Sequence, residues 1–149
     1  MDGFHLSDAR LRELGLSDRK GAPETFDREG YVDLLRRLRD PSVEVRAPRF
    51  HREIEASVPD EITVAPNVRL VVTEGNYLLH WPDVRPLLDE IWYVDVADDG
   101  RRVASLIARH ESFGRTPAAA RAWVLRSDEA NARLVEAGRS AADRVVVAW

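Results

Sequence analysis

Three apolar, β-branched runs set the limits on what this chain can become: Leu70-Val71-Val72-Thr73, Ile91-Trp92-Tyr93-Val94-Asp95-Val96 and Val145-Val146-Val147. Continuous runs of this kind mark strands buried on both faces, because a strand with one wet side alternates apolar and polar residues. Between the first two runs, a segment starting at Pro82 is expected to be helical over about 82–89. Between the second and third, a charged helix is expected over roughly 98–113, then a helical stretch from Thr116-Pro117 to about 137, broken or bent near Ser127-Asp128. Strand, helix, strand, helices, strand implies an α/β fold with a parallel sheet built by crossovers.

The first half is more irregular. Ser7-Asp8 before Ala9-Arg10-Leu11-Arg12-Glu13-Leu14 predicts a short capped helix that stops at Gly15. Residues 17–26 read as a polar loop, with Gly21 and Pro23 inside it. Asp27 can cap a helix whose apolar face is Tyr31, Leu34, Leu35 and Leu38, ended by Asp40-Pro41. Val43-Glu44-Val45 and Ile62-Thr63-Val64 alternate as two short strands do.

At 149 residues the chain is the size of one domain, and a single domain over 1–149 is expected. With 44% hydrophobic and 32% charged residues it reads as globular. A net charge of -4 with well-mixed signs argues against a nucleic-acid or membrane surface. There is no cysteine, which removes disulfides and thiolate metal sites and fits a cytoplasmic location. The four histidines, at 5, 51, 80 and 110, include no metal-binding pair at helical or strand spacing.

Ligands of open parallel sheets sit beyond the carboxyl ends of the strands, which is where Glu74-Gly75 falls. Glu74 therefore faces a crevice or is simply solvated. In Arg19-Lys20-Gly21-Ala22-Pro23-Glu24-Thr25-Phe26-Asp27, two cations beside a constrained loop suit an anionic or polyhydroxylated ligand. The alternative is a solvated loop anchored by Phe26. Asn76 and Tyr77 can bond a sugar-like hydroxyl, although Tyr77 can equally pack, and Trp81 reads as a core anchor.

Met1-Asp2-Gly3-Phe4-His5, the 19–27 loop, Pro48-Arg49-Phe50-His51-Arg52, Glu74-Gly75-Asn76-Tyr77, Arg109-His110 and Asp128-x-x-Asn131-Ala132 come in one order. That succession resembles the P-loop small-molecule kinases, the family of uridine kinase, phosphoribulokinase and one type of pantothenate kinase. The likeness runs from Met1 to about residue 147. It implies a three-layer parallel-sheet fold and transfer of the γ-phosphate of ATP, with Mg2+, to a hydroxyl of a nucleoside, sugar or pantothenate-like acceptor. By resemblance Asp2 is the base, Glu74 the magnesium-side acid and Arg109 a cation of the lid, which spans about 98–116. Arg102 and Arg115 support Arg109, while His5, Arg19, Lys20, Phe50, His51, Asn76 and Tyr77 line the acceptor site. His51 stands where the family carries an aspartate, and Ser105 where it often has an arginine. Asp128, Asn131 and Ala132 read first as helix capping and packing.

The family's phosphate loop, Gly-x-x-x-x-Gly-Lys-Ser/Thr, does not occur in these residues. The resemblance implies a strand, that loop, its helix and a second strand ahead of Asp2. On this expectation the sequence is a truncated product, or a gene reading begun at an internal methionine. Without the missing strand, the Leu70–Thr73 and Ile91–Val96 strands should not pair, and apolar edges are left open. Such a chain is expected to be poorly soluble or to form homo-oligomers through those edges, and to bind ATP weakly. The alternatives are a non-catalytic remnant that binds a metabolite or protein partner, and an assembly subunit.

Overall fold

A computed structural model describes residues 1–148; Trp149, expected at the end of the last strand, lies outside the described residues. The chain divides into two compact units, Met1–Asp89 and Glu90–Trp149. Each is described by itself.

In the first unit, a 3-10 turn over Asp2–Phe4 leads to α1, Asp8–Glu13, and the Ser7 hydroxyl accepts from the Arg10 amide. The 17–26 loop contains two further 3-10 turns, Ser17–Arg19 and Pro23–Thr25. Helix α2 runs Arg28–Leu38, and the Asp27 carboxylate caps it at the Gly30 amide. It buries Tyr31, Val32 and Leu35; Val32 was not on the expected stripe and widens it. Strands β1, Val45–His51, and β2, Ala56–Val64, pair antiparallel. Both are longer than expected, because a bulge between Ala47 and Arg49 accommodates Pro48, which has no amide to donate.

An aromatic cluster holds this unit together. Tyr77 lies 5.6 Å from Phe26 and 5.8 Å from Trp81, and Tyr31 lies 5.2 Å from Phe4 and 6.0 Å from Trp81. The Tyr31 hydroxyl is 2.9 Å from Thr73 Oγ1, which ties the 70–73 segment to α2. The buried Thr25 hydroxyl donates to the Ala22 carbonyl and accepts from the Gly21 amide, so the loop's own polar groups are satisfied.

Two expectations fail in this unit. Leu70–Thr73 is not a doubly buried strand: it pairs with no strand among the described residues, and Leu70 and Val72 are 77% and 83% exposed. β-branched residues favour extended backbone, but without a neighbouring ladder that preference leaves the side chains in water. The helix expected over about 82–89 shrinks to a 3-10 turn, Arg85–Leu87. Pro86 is the cause, since it removes an amide and its ring clashes with the carbonyl one turn back.

In the second unit, β3, Trp92–Val96, pairs parallel with β4, Arg144–Ala148, from Trp92↔Arg144 to Val96↔Ala148. Helix α3, Asp99–Ser112, is capped by Asp98, and α4, Pro117–Trp123, by Thr116. The bend expected near Ser127-Asp128 is a π-turn, Val124–Asp128, ahead of α5, Glu129–Ala137. The parallel pairing is as expected, yet β3 is not buried: Trp92 is 58% and Val94 66% exposed. The described residues thus form a mixed α/β structure with two two-stranded sheets, not a continuous three-layer sheet. No helix among the described residues is long and apolar enough to cross a membrane.

Candidate active site

The site begins with two glycines, one pressed against backbone and the other against a side chain. A Cβ on Gly3 would stand 2.2 Å from the Pro48 carbonyl oxygen, so the Asp2–Phe4 turn lies directly on β1. A Cβ on Gly75 would stand 2.2 Å from Met1 Sδ. The Met1 nitrogen donates to the Glu74 carbonyl at 2.6 Å and lies 3.4 Å from Glu74 Oε1. Asp2 and Glu74, 72 positions apart in sequence, are thereby carried on touching backbones. Both carboxylates reach solvent, and Glu74's side chain is 84% exposed.

The chain then leaves Asp2 along a pinned path. The Leu6 amide donates to the Thr25 carbonyl and the Asp27 amide to the Phe4 carbonyl, so residues 4–6 run beside 25–27. This brings the His5 ring to 4.1 Å from Phe26 and 5.0 Å from Phe50. His5 Nδ1 lies 2.9 Å from the Asp2 carbonyl oxygen, which can only accept, so Nδ1 carries the proton. Burial lowers the imidazole pKa against the opposing pull of that carbonyl and of the Asp2 carboxylate. At neutral pH the ring is uncharged, and Nε2 is a hydrogen-bond acceptor.

Lys20 Nζ stands 5.9 Å from the Phe50 ring centroid. It donates to Asp8 Oδ1 at 2.9 Å, Glu55 Oε2 at 3.1 Å and the Glu55 carbonyl at 3.4 Å. Burial alone would lower its pKa, but the two carboxylates more than offset this and hold it above the ordinary value. Tyr77 is fully buried, and its hydroxyl donates to the Gly21 carbonyl at 2.5 Å, so it packs and braces the 19–27 loop. Asn76 is exposed beside Glu74.

Other candidates lie apart. Arg19 pairs with Glu24 at 2.7 Å on the surface. His51 follows Phe50 in β1, so the pleat turns it to the opposite face, where Nε2 meets Glu61 Oε2 at 2.5 Å. An apolar recess lined by Leu38, Val45, Val64, Val68 and Val71 lies at the other end of the hairpin and includes no candidate residue. Among the described residues no group of three or more His, Asp or Glu side chains is arranged to hold a metal ion.

The lid candidates belong to the second unit. Arg102 pairs with Asp99 at 3.1 Å and with Glu129 at 2.7 Å, the latter an ion pair without hydrogen-bond alignment. His110 Nε2 lies 2.8 Å from Asp128 Oδ2, so Asp128 serves α3 rather than capping α5. The Arg115 guanidinium lies 4.1 Å from the centroid of the Trp123 ring. Arg109 is exposed, and its guanidinium has no ion-pair partner among the described residues.

Sequence reasoning missed Asp8 and Glu55, which occupy Lys20, and Phe26 as a ring partner of His5. Asp8 reads locally as a helix-start residue. Glu55 sits in the hairpin turn at φ +51°, and nothing in the sequence joins it to residue 20.

No family model matches the chain. The ATP-dependent kinase-like protein notR' of Aspergillus versicolor is 38% identical over 146 residues, covering 89% of this chain and 84% of the relative. The pantothenate kinase of Lacticaseibacillus casei is 31% identical over 103 residues, but this chain spans only 33% of its length. A crystal structure of a candidate fructose transport system kinase from a Silicibacter species superposes with a TM-score of 0.90 at 37% identity, covering 98% of this chain and 72% of that one. With sequence likeness and backbone agreement both extending over nearly all of it, the chain belongs to the P-loop small-molecule kinase family, beside the uridine and pantothenate kinases.

Proposed function

We propose that the protein is a phosphotransferase that moves the γ-phosphate of ATP to a hydroxyl of a small metabolite. The observation that carries this is the juxtaposition of Asp2 and Glu74 on touching backbones, with the His5–Phe50 pair beside Asp2. Asp2 is the general base: an exposed carboxylate that can orient an acceptor hydroxyl and take its proton as the phosphoryl group arrives. Glu74 suits a magnesium-side acid, because Mg2+ in phosphotransfer sites takes one or two carboxylates and keeps the rest of its shell for phosphate and water. Mg2+ would supply charge neutralisation along the nucleotide phosphates.

His5 and Phe50 form the acceptor wall, with Asn76 free to bond a hydroxyl. Tyr77 shapes that wall from behind. Arg109 is the lid cation, since its guanidinium is uncommitted and can fork onto phosphate oxygens. Arg102 and Arg115 position the lid through Glu129 and Trp123. The domain of the proposal is the whole of residues 1–149, with the lid at about 98–116.

The test is radiolabelled transfer from ATP to nucleosides, sugars and pantothenate, using protein expressed from its own locus with a C-terminal tag. Asp2→Asn should lower transfer by more than about 100-fold while leaving acceptor binding within about threefold. Acceptor binding with no transfer would favour the other reading, a metabolite-binding protein without catalysis. The exposed apolar segment at 70–73 and the open edges of β3–β4 favour self-association, which sedimentation of the same sample would detect.

A further inference from the structure

The charges around Asp2 constrain the acceptor more closely than its hydroxyl does. A lysine ammonium has three protons to donate, and all three of Lys20's are engaged, by Asp8, by the Glu55 carboxylate and by the Glu55 carbonyl. Arg19, its neighbour, is held by Glu24. His51 is on the far face with Glu61, and His5 uses its Nδ1 proton on the Asp2 carbonyl. Of these four side chains, none is therefore left to receive a carboxylate or phosphate. The same neighbourhood holds four carboxylates, Asp2, Asp8, Glu55 and Glu74, against two ammoniums, that of Lys20 and that of Met1, which is itself held by the Glu74 carbonyl and lies 3.4 Å from Glu74 Oε1. An anion docking there would lose hydration and meet a negative field.

What the site does offer is apolar and neutral: the ring of Phe50, the His5 ring packed beside it, the His5 Nε2 acceptor and the Asn76 amide. Such a surface suits the C–H face and hydroxyls of an uncharged molecule. We infer that the acceptor is an uncharged polyhydroxylated compound, and that carboxylate- or phosphate-bearing analogues are rejected. Lys20, read from sequence as a contact to an anionic or polyhydroxylated acceptor, fixes the hairpin turn against α1. This rests on the kinase reading only in placing the acceptor at Asp2.

The experiment is calorimetric titration of the tagged protein with matched pairs: panthenol against pantothenate, uridine against its 5′-monophosphate, fructose against fructose 6-phosphate. The neutral member of the bound pair should bind at least about tenfold more tightly. The double variant Asp8→Asn, Glu55→Gln releases Lys20 without touching the aromatic wall. It should narrow that preference by about fivefold or more, through tighter binding of the anion. Equal or tighter binding of the anionic member by the unaltered protein would overturn the inference. If Asp2→Asn still abolished transfer in that case, the kinase reading would stand alone. If no pair bound at all, the kinase reading would fall and the inference with it.

Discussion

Residues 1–89 bury Leu11, Phe26, Tyr31, Val32, Leu35, Val45, Tyr77, Leu78, Trp81 and Val84, whereas residues 90–148 bury only Ile91, Ala120 and Val124. Hydrophobic stabilisation scales with the apolar area withdrawn from water, so the two units draw on different forces. The first is held by interlocking aromatic rings around α2. The second is held by the β3–β4 ladder, by helix caps at Asp98 and Thr116, by the Arg102–Glu129 ion pair and by the His110–Asp128 hydrogen bond. Residues placed by a packed core keep their geometry, while residues placed by exposed ion pairs can be moved at small cost. Asp2 and His5 belong to the first kind and Arg109 to the second. The proposed roles fit this division, since a base needs fixed placement and a lid needs freedom.

Trp81→Ala tests the core side of this contrast most severely. It removes the ring that Phe26, Tyr31 and Tyr77 share, and should cost about 3–5 kcal/mol in urea unfolding. Trp92→Ala, the same chemical change at an exposed position on β3, should cost less than about 0.5 kcal/mol. Equal effects would erase the distinction between the units. Gly3→Ala comes next. Its Cβ would meet the Pro48 carbonyl, and the backbone shift needed should cost about 1–3 kcal/mol. Acceptor affinity should fall with it, because the Asp2–Phe4 turn must lift away from β1.

How far the sequence disclosed this contrast depends on the kind of force involved. Ser7, Asp27, Asp98 and Thr116 were legible as helix starts because a cap is a local bond between near neighbours. The parallel β3–β4 pair and the bend at 124–128 were legible for similar reasons, from a β-branched run and a break in helical pattern. Burial of the strands was not. Leu70–Thr73 and β3 have the composition of doubly covered strands, but composition does not say whether a neighbour is there to cover them. At the site, Asp2, Glu74 and Phe50 are singled out by motifs that resemble the family's, and their roles stand as proposals. The partners of Lys20, Asp8 and Glu55, are not legible, because they come from separate elements brought together only by folding.

His5 gives the first unit a pH dependence between neutral and mildly acidic conditions. Its pKa is lowered in the fold by burial, so between that value and the ordinary 6.5 the unfolded chain binds the extra proton. Stability from this group is full above about pH 6.5, declines as pH falls through the folded pKa and levels off below it. Urea midpoints measured from pH 7.5 down to pH 5 should fall in the wild type, and that fall should be reduced in His5→Gln. Lys20 carries the opposite sign. Its raised pKa makes its contribution full below about 10.5, with loss only as pH climbs through the folded value. The two groups therefore bracket a plateau at neutral pH.

The smallest expected effect separates the proposed lid cations. Arg102 is tied to Glu129 and Asp99, so Arg102→Met should lower stability by about 0.5–1 kcal/mol, the range for partly exposed pairs. Arg109 has no such partner, and Arg109→Met should change stability by less than about 0.3 kcal/mol. Their kinetic effects should run the other way. Loss of a guanidinium that meets only the transferring phosphoryl group lowers kcat, with little change in acceptor KM. Loss of a residue that merely braces the lid has a smaller effect on kcat, and raising the salt concentration should mimic it, since salt screens the ion pair. If Arg102→Met proved the more damaging to kcat, the exposed ion pairs would be part of the chemistry and the division between fixed base and loose lid would fail.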